Sequence, residues 1–532
     1  MGGRVLLLFA ALLSLATVSL IGSEDRPSAG GLYREALVGQ PLSINPLLHP
    51  NDPVGNDVGR LVHAGLVRVV DGGRIEGDLA TGWTTSDNGL TYSFQLKQGA
   101  LWHDGRPVTS ADVAATIAIV QAPGFAGPAE LGTLWRRVSA ETPDDRTIRL
   151  RLSEPYSSFI EACSLPILPQ HLFPSADGSM LDNVASYEPV GAGPYAVQSV
   201  DAERIWLVRS QGYAGQRPLL DGIELRFYPD AAAALEALLD GEVDGFAGLT
   251  AAEAASIPPS RQLEIRQAPL QEQQTTLLLN QRSPILAEQA VRRAIAMRLD
   301  RASLVDAAPS AVPAYGPIPA FSWAYSGTEV ERQPDPAAAA RTLDEAGWVG
   351  APVRSRNGRL LRLEIAVAAE PSQIALAEAI SAQLASIGLR ADVHPVQPLD
   401  LYRERLIPRR YDMALTGVWL GTIDPDPYWL WHSSQADTGL NFAAYRNPLA
   451  DQMIQQSRSD GDPGRRFAAL SAFQRVWSED VPSMVIASPL LTYATTATLH
   501  GVRLGVVPEP SARFQHLAEW YVRTERVMTF GR

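Results

Sequence analysis

Asp424 and Asp426 stand two residues apart in the segment "VWLGTIDPDPYWLW" (418–431), and a pair of carboxylates is the basic equipment for general acid–base or glycosidase chemistry. Each is followed by a proline, Pro425 and Pro427, a pattern that suits turn-forming Asp better than catalysis. The eight His residues are scattered from His49 to His516, without the H-E-x-x-H spacing that brings two imidazoles onto one helix face for zinc. Cys163 is alone, so neither an intrachain disulfide nor a Cys-based metal site can form. Gly191-Ala192-Gly193-Pro194 lacks the third glycine of a dinucleotide fingerprint and places proline where its helix would begin, so it reads as a rigid turn. Neither a G-x-S-x-G elbow nor a G-x-x-x-x-G-K loop occurs. The expectation is a protein without catalytic residues, metal or cofactor that captures a ligand on an aromatic-lined surface. A secreted hydrolase using Asp424 and Asp426 is the competing class.

The elements that would position such a surface are legible. "LRLEIAVA" reads as a strand, "IALAEAISAQLAS" as a helix stopped by Gly388, "LRADVHPV" as a strand, "DLYRERLI" as a helix capped by Asp400, and "YDMALTGVW" (411–419) as an apolar third strand. Strands separated by helices imply a largely parallel sheet, and ligands bind beyond the carboxyl ends of such strands. Trp419 sits at that end. An earlier βαβ unit is expected at 223–249, with Asp230 capping the helix and Gly241 ending it. Residues 60–120 read as β-rich: "RLVHAGLVRVV", "LTYSFQLKQ" and "PVT" are strand-prone, and Ser110 is the expected cap of the Ala-rich helix that follows. "RTIRLRLSEP" (146–155) alternates as a half-buried strand, 270–280 is an extended passage between lobes, 465–479 is an amphipathic helix, and 483–494 is a long strand.

A chain of 532 residues with 46% hydrophobic and 19% charged residues is globular and too long for one core, so two or three domains are expected. A net charge of −13 repels phosphate backbones and argues against a nucleic-acid partner. Arg4 followed by a charge-free run from Val5 to Ile21 reads as a secretory signal over 1–23, with a membrane anchor as the alternative because the run reaches the lower limit for a span. No Cys lies near its end, which excludes the usual bacterial lipid anchor.

Several stretches resemble family 5 of the bacterial solute-binding proteins, the peptide-, dipeptide- and nickel-binding components of ABC importers. "LATGWTTSDNGLTYSFQLKQGALWHDGRPVTSADVAATI" (79–117) carries the family signature in order, and "LVGQPLSINPLL", "VGAGPYAVQSV", "LLLNQRSPILAEQAVRRAIAMRLDR", "AARTLDEAGW" and "RYDMALTGVWLGTIDPDPYWLW" are similar to its other landmarks. The resemblance implies an α/β clamshell of type II-like periplasmic-binding-protein form. Its lobe I would comprise 28–70, 187–269 and 489–532 with an inserted β-rich subdomain at 71–186, and lobe II would comprise 270–488, with a hinge near 270 and 488. The signature residues Trp83, Trp102, Asp104, Gly105 and Asp112 are taken as architectural.

It further implies a periplasmic, monomeric receptor that closes on a peptide or other small solute and delivers it to an inner-membrane ABC permease complex. In family peptide binders the strand matching 413–419 ends in a Trp lining the site, and an Asp three residues on pairs with the peptide's α-amino group. Trp419 matches the aromatic; the position three on is Thr422, whose hydroxyl cannot neutralise an ammonium. Either the ligand lacks a free N-terminus, or Asp424 supplies the carboxylate from a rearranged loop. Non-peptide cargo (metal chelate, opine, glycoside or oligosaccharide) is the alternative in the same fold. Further candidate contacts are Leu420 through its main chain, Asn45, Gln273, Gln274, Tyr315 and Trp323, each of which also has a purely structural reading.

Overall fold

The computed structural model describes residues 21–48, 52–70, 73–86, 89–173, 189–306, 310–331, 333–421, 424–505 and 507–530. Runs rich in aliphatic and aromatic residues supply twelve strands of one mixed sheet. In chain order these are β1 (Leu32–Val38), β2 (Tyr195–Val200), β3 (Arg204–Arg209), β4 (Gly222–Tyr228), β5 (Gly245–Ala247), β6 (Leu263–Pro269), β7 (Gln273–Leu279), β8 (Ala311–Pro313), β9 (Arg362–Ala368), β10 (Arg390–Val396), β11 (Met413–Trp419) and β12 (Ser483–Thr496). Their spatial order is β10-β9-β11-β7-β12-β5-β1-β4-β3-β2, with β6 and β8 also paired to β12.

The α/β stretches give parallel pairs, β9 with β10 and β11, and β1 with β4 and β5. The sheet as a whole is mixed rather than largely parallel, because β7 and β12 run antiparallel to their neighbours. β12 belongs to both halves: Ser483–Ala487 pairs with β7, and Leu490–Thr496 pairs with β6. Between the two ladders Pro489 offers no N–H, and its carbonyl accepts from Leu270 N at 2.8 Å.

The two halves have separate cores. On one side Leu277, Val291, Ile295, Val367 and Leu415 pack on one face of the sheet, and Trp431, Tyr445, Phe473 and Trp477 on the other. On the other side Tyr33, Val58, Leu61, Ile205, Ile223 and Trp520 form the core. A four-stranded antiparallel sheet made by residues Ala80–Ser86, Thr91–Leu96, Thr147–Leu152 and Val138–Asp144, in that spatial order, closes a third core around Phe94, Trp102, Ile117, Ile148 and Phe159. The alternation expected at 146–155 is present, with Ile148, Leu150 and Leu152 buried.

The helices used below are α1 (Pro53–Val62), α2 (Ser110–Gln121), α3 (Ala231–Asp240), α4 (Gln289–Arg298), α5 (Pro371–Ala385), α6 (Pro448–Ser459) and α7 (Pro463–Asp480). Asp230 caps α3 by accepting from Ala233 N at 2.9 Å, and Gly241 ends it at φ 76°, as expected. α2 is capped by Thr109, which forms a capping box with Asp112, rather than by Ser110; the Ser110 hydroxyl instead donates to Asp144 O at 2.6 Å.

Other expectations differ. Arg60–Val62 ends helix α1 instead of beginning a strand, which is confined to Val67–Val70. Pro53 at the first turn starts the helix, and buried Asp57 within it is held by Arg513. Pro107–Thr109 makes only an isolated bridge, Leu101 with Pro107. Asp400 makes no side-chain cap; Pro398–Asp400 leads directly into a π-helical turn, Leu401–Leu406.

Gly191 and Gly193 hold the turn against the end of α1. A Cβ on Gly191 would meet Val62 O at 1.9 Å, and Gly193 N donates to that carbonyl at 2.8 Å. Ile21–Ser28 pairs antiparallel with Arg523–Phe530, so the last three residues of the expected signal are strand, and residues 1–20 lie outside the described residues. No helix among the described residues is long and apolar enough to cross a membrane.

The C-terminal return is pinned by a buried charge network. Arg513, 1% exposed, donates from Nε to Glu35 Oε1 at 2.8 Å and from both terminal nitrogens to Asp57 at 2.7 Å. Tyr493 adds a bond to Glu35 at 3.0 Å. Burial pushes both carboxyls above their usual range, and Arg513 works against that rise in each case.

Candidate ligand-binding cleft

β11 is apolar up to its end, where Trp419 lies opposite Gln273 of β7 and is 43% exposed. The chain on either side joins the two halves: Leu420 N donates to Glu272 O at 2.8 Å, and Glu272 N donates to Pro508 O at 3.2 Å. Around this junction opens a cavity of about 1180 Å³. Thr416, Trp419, Tyr428 and Phe442 line it from one half, and Arg60, Tyr156, Glu161 and Glu509 from the other. It lies beyond the carboxyl end of β11, where the sequence places a ligand.

The electrostatics of the cleft centre on carboxyl groups. Glu272 lines the cavity, and its pKa is pushed up to about 8 by burial and by the nearby Glu161 and Glu509, against the pull of Arg60. Arg60 is itself engaged, donating to Glu509 at 3.3 Å and to Ser511 Oγ at 3.1 Å. His63 also lines the cavity; burial, helped by the neighbouring His103, lowers its pKa to about 3, so the ring is neutral.

The two conspicuous aspartates have arginine partners. Arg466 Nη2 donates to both Asp424 oxygens at 2.9 Å, Trp323 Nε1 donates to Asp424 Oδ1 at 3.2 Å, and the guanidinium lies over the Trp323 ring at 5.0 Å. Asp424 N in turn donates to Glu161 Oε2 at 2.8 Å. Asp426 is buried and accepts from Arg458 Nε at 3.1 Å, Tyr428 N at 3.2 Å and Tyr156 OH at 3.3 Å. Burial raises its pKa, while Arg458 lowers it.

Of the nine residues singled out from sequence, Trp419 and Leu420 line the cavity, and Trp323 lines a recess beside it. Gln273 is tied to Trp419 by register. Gln274 is buried and donates to Gly316 O at 3.1 Å; Asn45 is buried in a turn and accepts from Leu47 N at 3.1 Å; Arg301 lies over the Tyr315 ring at 5.0 Å. Asp424 is directed to Arg466, and Thr422 lies outside the described residues. The cavity residues missed from sequence include Glu272, Arg60, Tyr156 and Glu509. Only Glu272 carried a signal, as the one charged residue between Arg266 and Arg282.

The model of "Bacterial extracellular solute-binding proteins, family 5 Middle" matches residues 74–439. The oligopeptide-binding protein AppA of Bacillus subtilis is 24% identical over 515 residues, covering 94% of this chain and 93% of that protein. Its structure in complex with a nonapeptide superposes with a TM-score of 0.75 at 23% identity, covering 94% of this chain and all of the other. NikZ of Campylobacter jejuni in complex with Ni(L-His) gives 0.77 at 22% identity, covering 92% of this chain and 99% of that one. AgaA of A. tumefaciens R10 in complex with agropinic acid gives 0.73 at 23%, covering 93% and 99%. These neighbours share one two-lobe fold around very different cargoes. With the signature matched over most of its length and the cleft at the junction of its lobes, the chain belongs to family 5 of the bacterial extracellular solute-binding proteins.

Proposed function

We propose that the chain is the extracytoplasmic receptor of an ABC importer. It captures a peptide or peptide-like solute between two hinged lobes and hands it to an inner-membrane permease. The observation that carries this reading is the large cavity at the lobe junction, walled by exposed Trp419 and by main chain at the end of β11. Peptide recognition by backbone hydrogen bonds with roomy side-chain space suits such a site. The lobe boundaries at 270 and 488 fit the two places where the chain crosses between cores. Export by residues 1–23 to the periplasm, without a lipid anchor, completes the proposal.

The role is binding, not catalysis: Asp424 and Asp426, the only pair offered for hydrolysis, are each committed to an arginine. Trp419 and the Leu420 main chain are the proposed contacts. A non-peptide cargo is the second reading, favoured by Thr422 at the position of the family's acid and by the engagement of Asp424 with Arg466. Native mass spectrometry of protein purified from its own host tests both. Co-purified masses that fragment as peptides are expected; a single non-peptide mass would replace the peptide with that solute.

A further inference from the structure

Glu272 is the residue whose main chain bonds to both halves of the molecule, to Pro508 on one side and Leu420 on the other. Its carboxyl lines the cleft and has no side-chain hydrogen bond or ion pair among the described residues. The surrounding charges do not satisfy it. Glu161 and Glu509 repel it, Arg60 is shared with Glu509 and Ser511, and β11 with Leu420 and Gly421 contributes no charged side chain. Ionising a carboxyl in a binding cleft, among like charges and with its nearby arginine shared, is costly unless a ligand brings a counter-charge.

A second, independent observation comes from the neighbouring recess. A recess lined by Gln271, Leu420, Asp426 and Trp431 adjoins the cleft, sharing the last three residues with it. Gln271, 4% exposed, has an unpartnered Oε1, and Trp431, 3% exposed, an unpartnered Nε1. One buried acceptor and one buried donor on residues lining that recess, the first next in sequence to Glu272, are groups that the polar end of a bound solute would complete. Trp419, exposed opposite the next residue along β7, adds an aromatic face, which attracts cations.

We propose that the Glu272 carboxyl is the counter-charge for a cationic group, an ammonium or a guanidinium, on the solute held in the cleft. This rests on the binding reading above. It places the acid in the bend between β6 and β7 instead of at Thr422. Glu272 gives up its proton to bulk water as the cation docks, so binding near neutral pH is accompanied by proton release.

The test uses the full chain and three pools of tri- to nonapeptides built from Ala, Gly, Ser and Val. One pool has free amines, one is N-acetylated, and one is N-acetylated with a single internal Arg. Titration calorimetry in two buffers of different ionisation enthalpy counts protons. Tighter binding of a cationic pool than of the neutral pool by about tenfold or more is expected, with close to one proton released per ligand at about pH 7 and fewer at about pH 9. E272Q is expected to remove that preference and the release. Whichever cationic pool responds identifies the source as the α-amine or the side chain. Equal binding of all pools to the unaltered chain without proton release overturns the subsite and leaves the receptor reading standing, with no variant needed. Failure of every pool to bind overturns the peptide reading and the subsite together.

Discussion

At Glu272 the folded carboxyl holds its proton to about pH 8, against an ordinary value of 4.5. Between those values the folded chain binds more protons than the unfolded one, so this group's contribution to stability falls as pH rises through the window and is flat above it. E272Q removes the dependence. Because one side of the group faces the cleft, the gain at about pH 9 is about 1–3 kcal/mol, short of what a closed site would give, and vanishes near pH 4. Urea unfolding of both proteins at the two pH values checks this; a constant difference would show that folding leaves the Glu272 pKa unshifted. The limit of sequence reading is visible at the same residue. Its isolation among uncharged neighbours was legible, but the burial that raises its pKa, and Glu161 and Glu509, which add to it, arise only through the fold. The prolines after Asp424 and Asp426 likewise disclosed a turn, while Arg466 and Arg458, which occupy the carboxylates, come from helices α7 and α6 packed later in the chain.

Among the elements, the segment Pro510–Glu519 depends on Arg513 for its attachment to β1 and α1. R513A leaves Glu35 and Asp57 buried without their cation, and a loss of about 3–5 kcal/mol in unfolding free energy is expected. The loss shrinks toward acid pH, because both carboxyls already sit above their usual range and take up protons once the arginine is gone. Denaturant midpoints at neutral and acid pH measure it; an unchanged midpoint would mean that water reaches the site. Elements with strong local instructions were legible: β9 to β11 and helix α5 by periodicity, and α3 by Asp230 and Gly241. α1 was not, since its Val and Leu content favours a strand. Its helical form is maintained by long-range contacts, Asp57 with Arg513 and the turn of Gly191 against Val62.

For the molecule as a whole, the contacts that cross the mouth of the cleft matter most. Ser157 N donates to Arg458 O at 2.8 Å, Ser157 Oγ to Ser457 O at 3.0 Å, and Tyr156 OH to Asp426 at 3.3 Å. They join the loop after Leu152 to α6 and to the Asp426 turn. Y156F deletes one of them without disturbing the aromatic packing, and solute release is expected to quicken about 2- to 10-fold with the unfolding midpoint little altered. Stopped-flow tryptophan fluorescence reads the rate; no change would remove this hydroxyl from the closure energetics. The division into two lobes was legible from length, composition breaks and motif order. Which loops meet across the gap was not, because that depends on the angle between bodies rather than on any local pattern.

β12 keeps ladder partners on both sides of Pro489, and β8 pairs with Ala487–Pro489 between them. A loop hinge swings freely between stops, but a strand hydrogen-bonded at both ends behaves as a torsion bar. Rotation of one lobe about this strand would be stored as twist over the few residues where it changes partners, with resistance growing with angle. The gap between lobes would then be a graded mechanical quantity, set by how much work the bound solute does against that spring, and a permease gripping both lobes would sense the fit of the cargo as well as its presence.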